Sequence, residues 1–456
     1  MSKSRARRFA DIISGAEQVP AESLDNASVT AISDQVNTST GFFDLPSGTT
    51  AQRPASPTDG ATRFNTDSGS VEFYDGVNWL TTNLIPVINS ISGSIYSGAS
   101  SSISLNLSNA TDKITVIFSE SGVALAEVSD VAVASGIATV STPSAVYGKT
   151  VGSTITVTSA NQDGTPASNS VSTTIKALPS GGTVSSVGSY RVHTFTSSGT
   201  LSVPSGFSAS AEYLIVGGGG GGGYDNGGGG GAGGFLEGST SITANNYSVI
   251  VGGGGGYNTS VSQAGDGGSS SFANITALGG GGAGSQTNYG RNGGSGGGSG
   301  HPPPSRSYGG LGTAGQGNNG GGALYEGPNY PGGGGGGAGG AGETGTSSTD
   351  RGGDGGVGKQ SNIDGNNYYY AGGGGGSAHQ GGNDGGTGGL GGGGAGGSST
   401  AGTAYGGGSA RNSGGNTSSA TGASGGANTG GGAGGGSHTT RGGNGGSGIV
   451  IIRYVI

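Results

Sequence analysis

The stretch YLIVGGGGGGGYDN, residues 213–226, spells a four-residue apolar strand and then runs without a break into seven glycines. The strand half is ordinary. The glycine half discards every side chain, and with them the usual means of building a core. The same step recurs in NYSVIVGGGGG at 246–256 and SSSFANITALGGGG at 269–282, and it is reversed in the terminal GNGGSGIVIIRYVI, residues 443–456. A strand-forming frame therefore brackets a long glycine region, 279–446.

That region holds only five aliphatic side chains, Leu311, Leu324, Val357, Ile363 and Leu390. Fixing a backbone costs about 1–2 kcal/mol per residue, and five aliphatics return little of that over so long a stretch. A flexible Gly/Ser linker is the plain reading. Two features oppose it. The region ends in IVIIRYVI, a strand apolar enough to demand burial in the frame, and its glycines come in blocks of about four to seven separated by polar turns. Rods without side chains can approach until the N–H and C=O groups of neighbours bond, which is how buried backbone is satisfied. Extended helices of three residues per turn leave all those groups free for neighbours.

Outward from this region the chain changes character. Of 115 glycines in 456 residues, only 13 precede Pro179, and charged residues make up 9%. The net charge of −8 is mild, and the basic cluster Lys3, Arg5, Arg7 and Arg8 reads as a solvated tail and not a nucleic-acid site. With no cysteine there is neither a disulfide framework nor a thiolate metal site. The start MSKSRARRFADIISGAEQVP has no apolar signal region and no run approaches a membrane span, so the expectation is a soluble, cytoplasmically made protein without membrane insertion.

Residues 9–19 place Phe9, Ile12, Ile13 and Ala16 on one face of a short helix, which needs a partner surface to be stable. A polar linker follows to about residue 37. In 45–82, ATRFNT and SVEFYDG read as strands of a hairpin turning at Asp67-Ser68-Gly69, with Trp79, the sole tryptophan, capping a small core. Residues 85–178 carry about seven strand-length runs, among them SISLNL, KITVIF and STITVT, with no helix signal.

RPASPTDGATRFNTDSGSVEFYDGVNW, residues 53–79, resembles a short module of bacteriophage tail-fibre and other virion proteins. The strand rhythm of 85–178 resembles immunoglobulin-like domains of bacteria and phages. The entry VHTFTSSGTLSVPSG, the steps YLIVGGGGGGG and YSVIVGGGGG and the exit GGSGIVIIRY resemble the glycine-rich domain of phage fibre tips and adhesins. That likeness implies polyglycine-II helices packed together, with receptor-binding loops between them. The expected fold is mainly β and multidomain: a helical anchoring arm (1–40), a β-hairpin module (41–84), an immunoglobulin-like sandwich (85–178) and a glycine-rich domain (179–456). In the last, a β-frame at 190–278 and 447–456 encloses packed polyglycine helices in 279–446.

No motif points to catalysis, a cofactor or a metal. Residues 353–360 match the first seven positions of a phosphate loop, but Gln360 stands where Ser or Thr should hold magnesium, and no strand leads in. The histidines His193, His301, His379 and His438 are scattered without metal-ligand spacing. Collagen is excluded, because the glycines come in blocks and not at every third position. Eight of the 17 tyrosines fall in 279–446, mostly in glycine-poor turns such as HPPPSRSY, LYEGPNYP and NNYYYA. Tyrosine makes a rigid, amphipathic contact at low entropy cost; it can equally cover rod ends. His301, Tyr308, Tyr325, Tyr330, Tyr368, Tyr369 and Tyr370 are thus candidate receptor contacts.

The resemblance implies a tail fibre, a virion component docked on tail or baseplate proteins through Phe9, Ile12 and Ile13. Its ligand would be a host surface glycan or outer-membrane protein. Such fibres are commonly homotrimers, although polyglycine tips can be monomeric. The alternative is a structural head fibre or capsid-decoration protein that binds no receptor.

Overall fold

The computed structural model describes residues 45–456 except Ser68, 82–84, Asp163, Thr287, 302–306, 325–328, 347–350, 380–383 and 400–402. Phe9, Ile12, Ile13 and Tyr325 lie outside the described residues. The chain divides into two compact units, Met1–Leu84 and Ile85–Ile456. It is mainly β, with almost no helix.

In the first unit, β1 (Ser47–Gly48) runs parallel to β2 (Thr62–Asn65), which pairs antiparallel with β3 (Ser70–Tyr74), and β3 with β4 (Trp79–Thr81). The hairpin joins Asn65 to Ser70, as its turn residues imply. Its small interior, which Trp79 is expected to cap, is polar. Alternation turns Arg63, Asn65 and Glu72 inward and leaves Phe64 and Leu80 exposed. Glu72 accepts from Arg53 Nη2 at 2.6 Å and Asn65 Nδ2 at 3.0 Å, with Arg63 Nε 3.3 Å away. Trp79 is only half-buried, against Tyr74 at 5.7 Å.

The second unit opens with β5 (Val87–Gly93), β6 (Ile95–Tyr96), β7 (Ser102–Ser108), β8 (Lys113–Glu120), β9 (Val123–Ala134), β10 (Ile137–Ser141), a single helical turn α1 (Ser144–Tyr147), β11 (Thr154–Asn161) and β12 (Val171–Lys176). Their order, β5-β7-β10-β9-β8-β11-β12-β6, makes a nearly closed, barrel-like sheet, because the two end strands adjoin in sequence at Ser94. Alternate residues point inward, Ile103, Leu105 and Leu107 from β7 against Ile114, Val116 and Phe118 from β8.

Next come β13 (Thr183–Val187), β14 (Tyr190–Phe195), β15 (Gly199–Val216), β16 (Phe235–Ile250), β17 (Ser270–Phe272), β18 (Ile275–Ala277), the small hairpin β19 (Lys359–Ser361) and β20 (Tyr368–Tyr370), and β21 (Ile449–Val455). A seven-stranded sheet in the order β13-β14-β21-β15-β16-β17-β18 holds the C-terminal strand between β14 and β15. IVII, residues 449–452, is an unbroken apolar run because both faces of the strand are covered there. Val450, Ile452 and Tyr454 meet Phe207, Ile215 and Phe272 on one side. Ile449 and Ile451 meet Leu214, Val216, Ile363 and Tyr370 on the other.

Beyond Val216 the glycines leave the sheet as a buried rod, and their amide partners rotate. Gly217, Gly220 and Gly223 donate to Gly234, Gly231 and Gly228; Gly218 and Gly221 donate to Gly268 and Gly265; Gly219 and Gly222 donate to Gly446 and Gly443. Each neighbour is met at every third residue. The returning rod behaves alike, with Gly227, Gly230 and Gly233 bonded to Gly436, Ala433 and Gly430. Contact at this range forbids side chains: a Cβ on Gly222 would stand 1.9 Å from the Gly434 carbonyl oxygen. Every buried glycine so placed exchanges a side chain for a backbone partner, which answers why the strand-to-glycine step recurs.

Of the five aliphatics in 279–446, only Ile363 is buried, and it covers the sheet. Leu311, Val357 and Leu390 are exposed. The rods therefore stand on the apolar sheet at one end and are held along their length by hydrogen bonds.

Candidate binding site at the distal end

Because the rods run back and forth from the sheet, the turns joining them collect at the opposite, distal end. Tyr224 N donates to Ser285 Oγ at 2.9 Å and Ser285 Oγ to Ser262 O at 2.5 Å, tying three turns together, and Thr440 Oγ1 donates to Ala420 O at 2.7 Å, tying two more.

The turn at 224–226 organises the rest. Asp225 and Asn226 take left-handed φ values of 47° and 57°, a conformation that short polar side chains tolerate. Asp225 N donates to Thr440 O at 3.0 Å, and Thr439 N donates to Asp225 Oδ1 at 3.0 Å, which seats the 438–441 turn beside it. Asn226 Oδ1 accepts from His379 Nδ1 at 2.9 Å, so that nitrogen carries a proton.

A row of rings results. His301 lies 4.5 Å from Tyr330, Tyr330 lies 4.9 Å from His379, and His379 lies 5.6 Å from His438, centroid to centroid. The row climbs from buried His301 through half-buried Tyr330 and His379 to exposed His438. Burial first, and the neighbouring His379 charge to a smaller degree, hold the His301 imidazole below its ordinary pKa. Among the described residues no group of three His, Asp or Glu side chains could hold a metal ion.

Three histidines that look scattered in sequence thus meet in space. Each follows the distal end of a rod through a buried serine, in GGGSGH (296–301), GGGGGSAH (372–379) and GGAGGGSH (431–438), and that repeated ending is the signal from which the cluster could have been read.

The sequence candidates separate into two groups. His301 and Tyr330 join the ring row, and Tyr308 stands 72% exposed on the flank beside it. Tyr368, Tyr369 and Tyr370 do not form a binding turn with them. They are strand β20, at the sheet end, where Tyr369 N donates to Ser409 O at 2.8 Å. Tyr370 is fully buried and offers a receptor no surface, because strand alternation turns it onto the apolar sheet face. The apparent phosphate loop is part of a rod. Its amides at Gly353, Gly356 and Gly358 donate to Gly332, Gly335 and Leu390, and the Lys359 ammonium lies 5.7 Å from the Phe235 ring centre.

Among curated proteins, none matches the chain. The sequence pattern of one family, described as a glycine-rich domain, matches residues 193–455, more than half of the chain, from within β14 to the end of β21. The rods, the distal turns and the sheet apart from β13 and the start of β14 fall inside that match, and the chain belongs to the glycine-rich domain family.

Proposed function

We propose that the protein is a virion-attached fibre that binds a host-cell surface component through the distal turns of its glycine-rich domain. The observation that carries this reading is the separation of roles along the rods: apolar anchoring at the sheet end, and at the other a row of rings that starts at buried His301 and reaches the surface through Tyr330, His379 and His438. A platform tied by backbone bonds holds such groups in place before a ligand arrives, which lowers the entropy cost of binding. The rods are polyglycine-II helices in this reading, supported by the three-residue rotation of their amide partners. Residues 85–178 serve as an immunoglobulin-like spacer, and 1–40 dock on tail or baseplate proteins. The function is binding and not catalysis, without a cofactor.

Adsorption of fluorescently labelled full-length protein to candidate host cells tests it. The expected result is saturable binding that competes with virion adsorption and drops in a Tyr330→Ala, His438→Ala double variant whose unfolding temperature is unchanged. Labelling of virions by antibody without any cell binding would instead leave the structural head-fibre or decoration reading.

A further inference from the structure

A groove on the flank of the rods, separate from the ring row, encloses about 370 Å³. It is built on the rod at 318–324, whose amides rotate like those of the interior rods. Gly320 N and Ala323 N donate to Gly310 O and Ser307 Oγ on one side, and Gly321 N and Leu324 N to Gly334 O and Gly345 O on another. The third direction belongs to Asn319 and Gly322. Their N–H groups meet no acceptor among the described residues, and both residues line the groove. In the interior a third rod would occupy that position. Here Tyr308, Leu311 and Leu324 line it instead. Those side chains keep a further rod from closing to backbone contact, where even one Cβ falls near 2 Å from a carbonyl oxygen.

The groove has three chemical parts. Tyr308 and Leu311, 72% and 58% exposed, supply apolar walls, one of them a flat ring. Glycine backbone makes the floor, with donors spaced three residues apart. Ser307, Asn319 and Thr344 add neutral polar groups, and no charged side chain is among the described lining residues. An apolar face for C–H groups, hydrogen-bonding partners for hydroxyls and, among the described lining residues, no charge to satisfy an ionic group together match a pyranose. The volume is at the small end of ligand sites.

We propose that this groove is a binding subsite for a neutral saccharide, about one or two pyranose rings, stacked on Tyr308 and hydrogen-bonded by the exposed amides of Asn319 and Gly322. The proposal rests on the reading of the glycine-rich domain as a binding platform and names one ligand class for it. It does not use the distal ring row.

Ligand-observed saturation-transfer NMR on the full-length protein tests it, with lactose, cellobiose and N,N′-diacetylchitobiose as neutral probes and digalacturonic acid as the charged control. The expected result is transfer to at least one neutral probe, weakened about tenfold or more in Tyr308→Ala, an aromatic contact's share of affinity, and restored in Tyr308→Phe. Tyr289→Ala, at another exposed tyrosine, should leave it unchanged. No transfer to any neutral probe, transfer only to the acidic one, or transfer indifferent to Tyr308→Ala would each overturn the proposal. Cell adsorption by the same Tyr308→Ala protein is a separate readout. If adsorption persists while saccharide transfer is absent, the groove fails and the distal-end reading stands; loss of adsorption in all forms marks failure of the reading itself.

Discussion

His193 and Tyr454, 261 residues apart, share a hydrogen bond within one sheet: Tyr454 Oη donates to His193 Nε2 at 3.0 Å, with the rings stacked 5.6 Å apart. Nδ1 faces the Gly181 carbonyl at 2.8 Å, and a carbonyl only accepts, so the proton sits on Nδ1 and Nε2 is the acceptor. The neutral imidazole thus links β14 to the terminal strand.

Acid should loosen that link. Burial holds the His193 pKa below its ordinary value, outweighing the Gly181 hydrogen bond. The unfolded chain then takes up the proton first, so the stabilising contribution is complete above the usual imidazole range and declines as pH falls through it toward the folded value. We expect the unfolding temperature of the full chain to drop over that window, and the drop to shrink in His193→Gln. An identical acid slope in wild type and variant would show that His193 does not carry it.

Side chains should be tolerated on rods only where a neighbour is missing. Gly222→Ala puts a Cβ 1.9 Å from a carbonyl oxygen, whereas Gly253 has nothing within 4 Å of the equivalent position. Gly222→Ala is expected to destabilise by at least about 1–3 kcal/mol, the usual cost of overpacking. Gly253→Ala should be neutral or stabilising by up to about 1 kcal/mol through the unfolded state. Thermal and denaturant unfolding of both variants distinguishes them.

Amide exchange should follow the three-residue rotation. Gly320, Gly321 and Ala323 have partners, while Asn319 and Gly322 face the groove. Residue-resolved hydrogen–deuterium exchange is expected to find slow amides at the first three and fast ones at the last two. Uniformly fast exchange through 217–234 as well would mean that the rods do not bond to one another in solution.

In the first unit, Glu72 is buried between Arg53 and Arg63, and the Arg53 hydrogen bond holds its carboxyl below the usual range. Its stabilising contribution is therefore present above the ordinary carboxylate pKa and lost as pH falls through the lower folded value. Glu72→Gln leaves two guanidinium groups without their anion and should lower the unfolding transition of this unit while leaving that of the second unit in place. Tryptophan fluorescence follows it, since Trp79 is the only tryptophan.

The strand positions were legible because they rest on local pattern. TRFN, SVEFY, YLIV and IVIIRYV each announce themselves by alternation or by continuous apolar character, and the burial demanded by IVIIRYVI is met between β14 and β15. What a side-chain pattern cannot convey is which glycine meets which, because identical residues carry no register. The polar character of the small core around Glu72 was equally hidden, since Trp79 signals a core but not what fills it.

The sequence by itself determined that 279–446 could not fold around aliphatic side chains and that a buried terminal strand had to close the frame. Only the tertiary structure decided that Tyr370 serves the core, that Tyr308 overlooks a groove, and that His301, His379 and His438 stand together. The reason is physical. Side-chain burial is written locally in hydrophobic periodicity, whereas hydrogen bonding between bare backbones depends on the placement of rods as far apart in sequence as Gly219 and Gly446, and that placement sets which turns become neighbours.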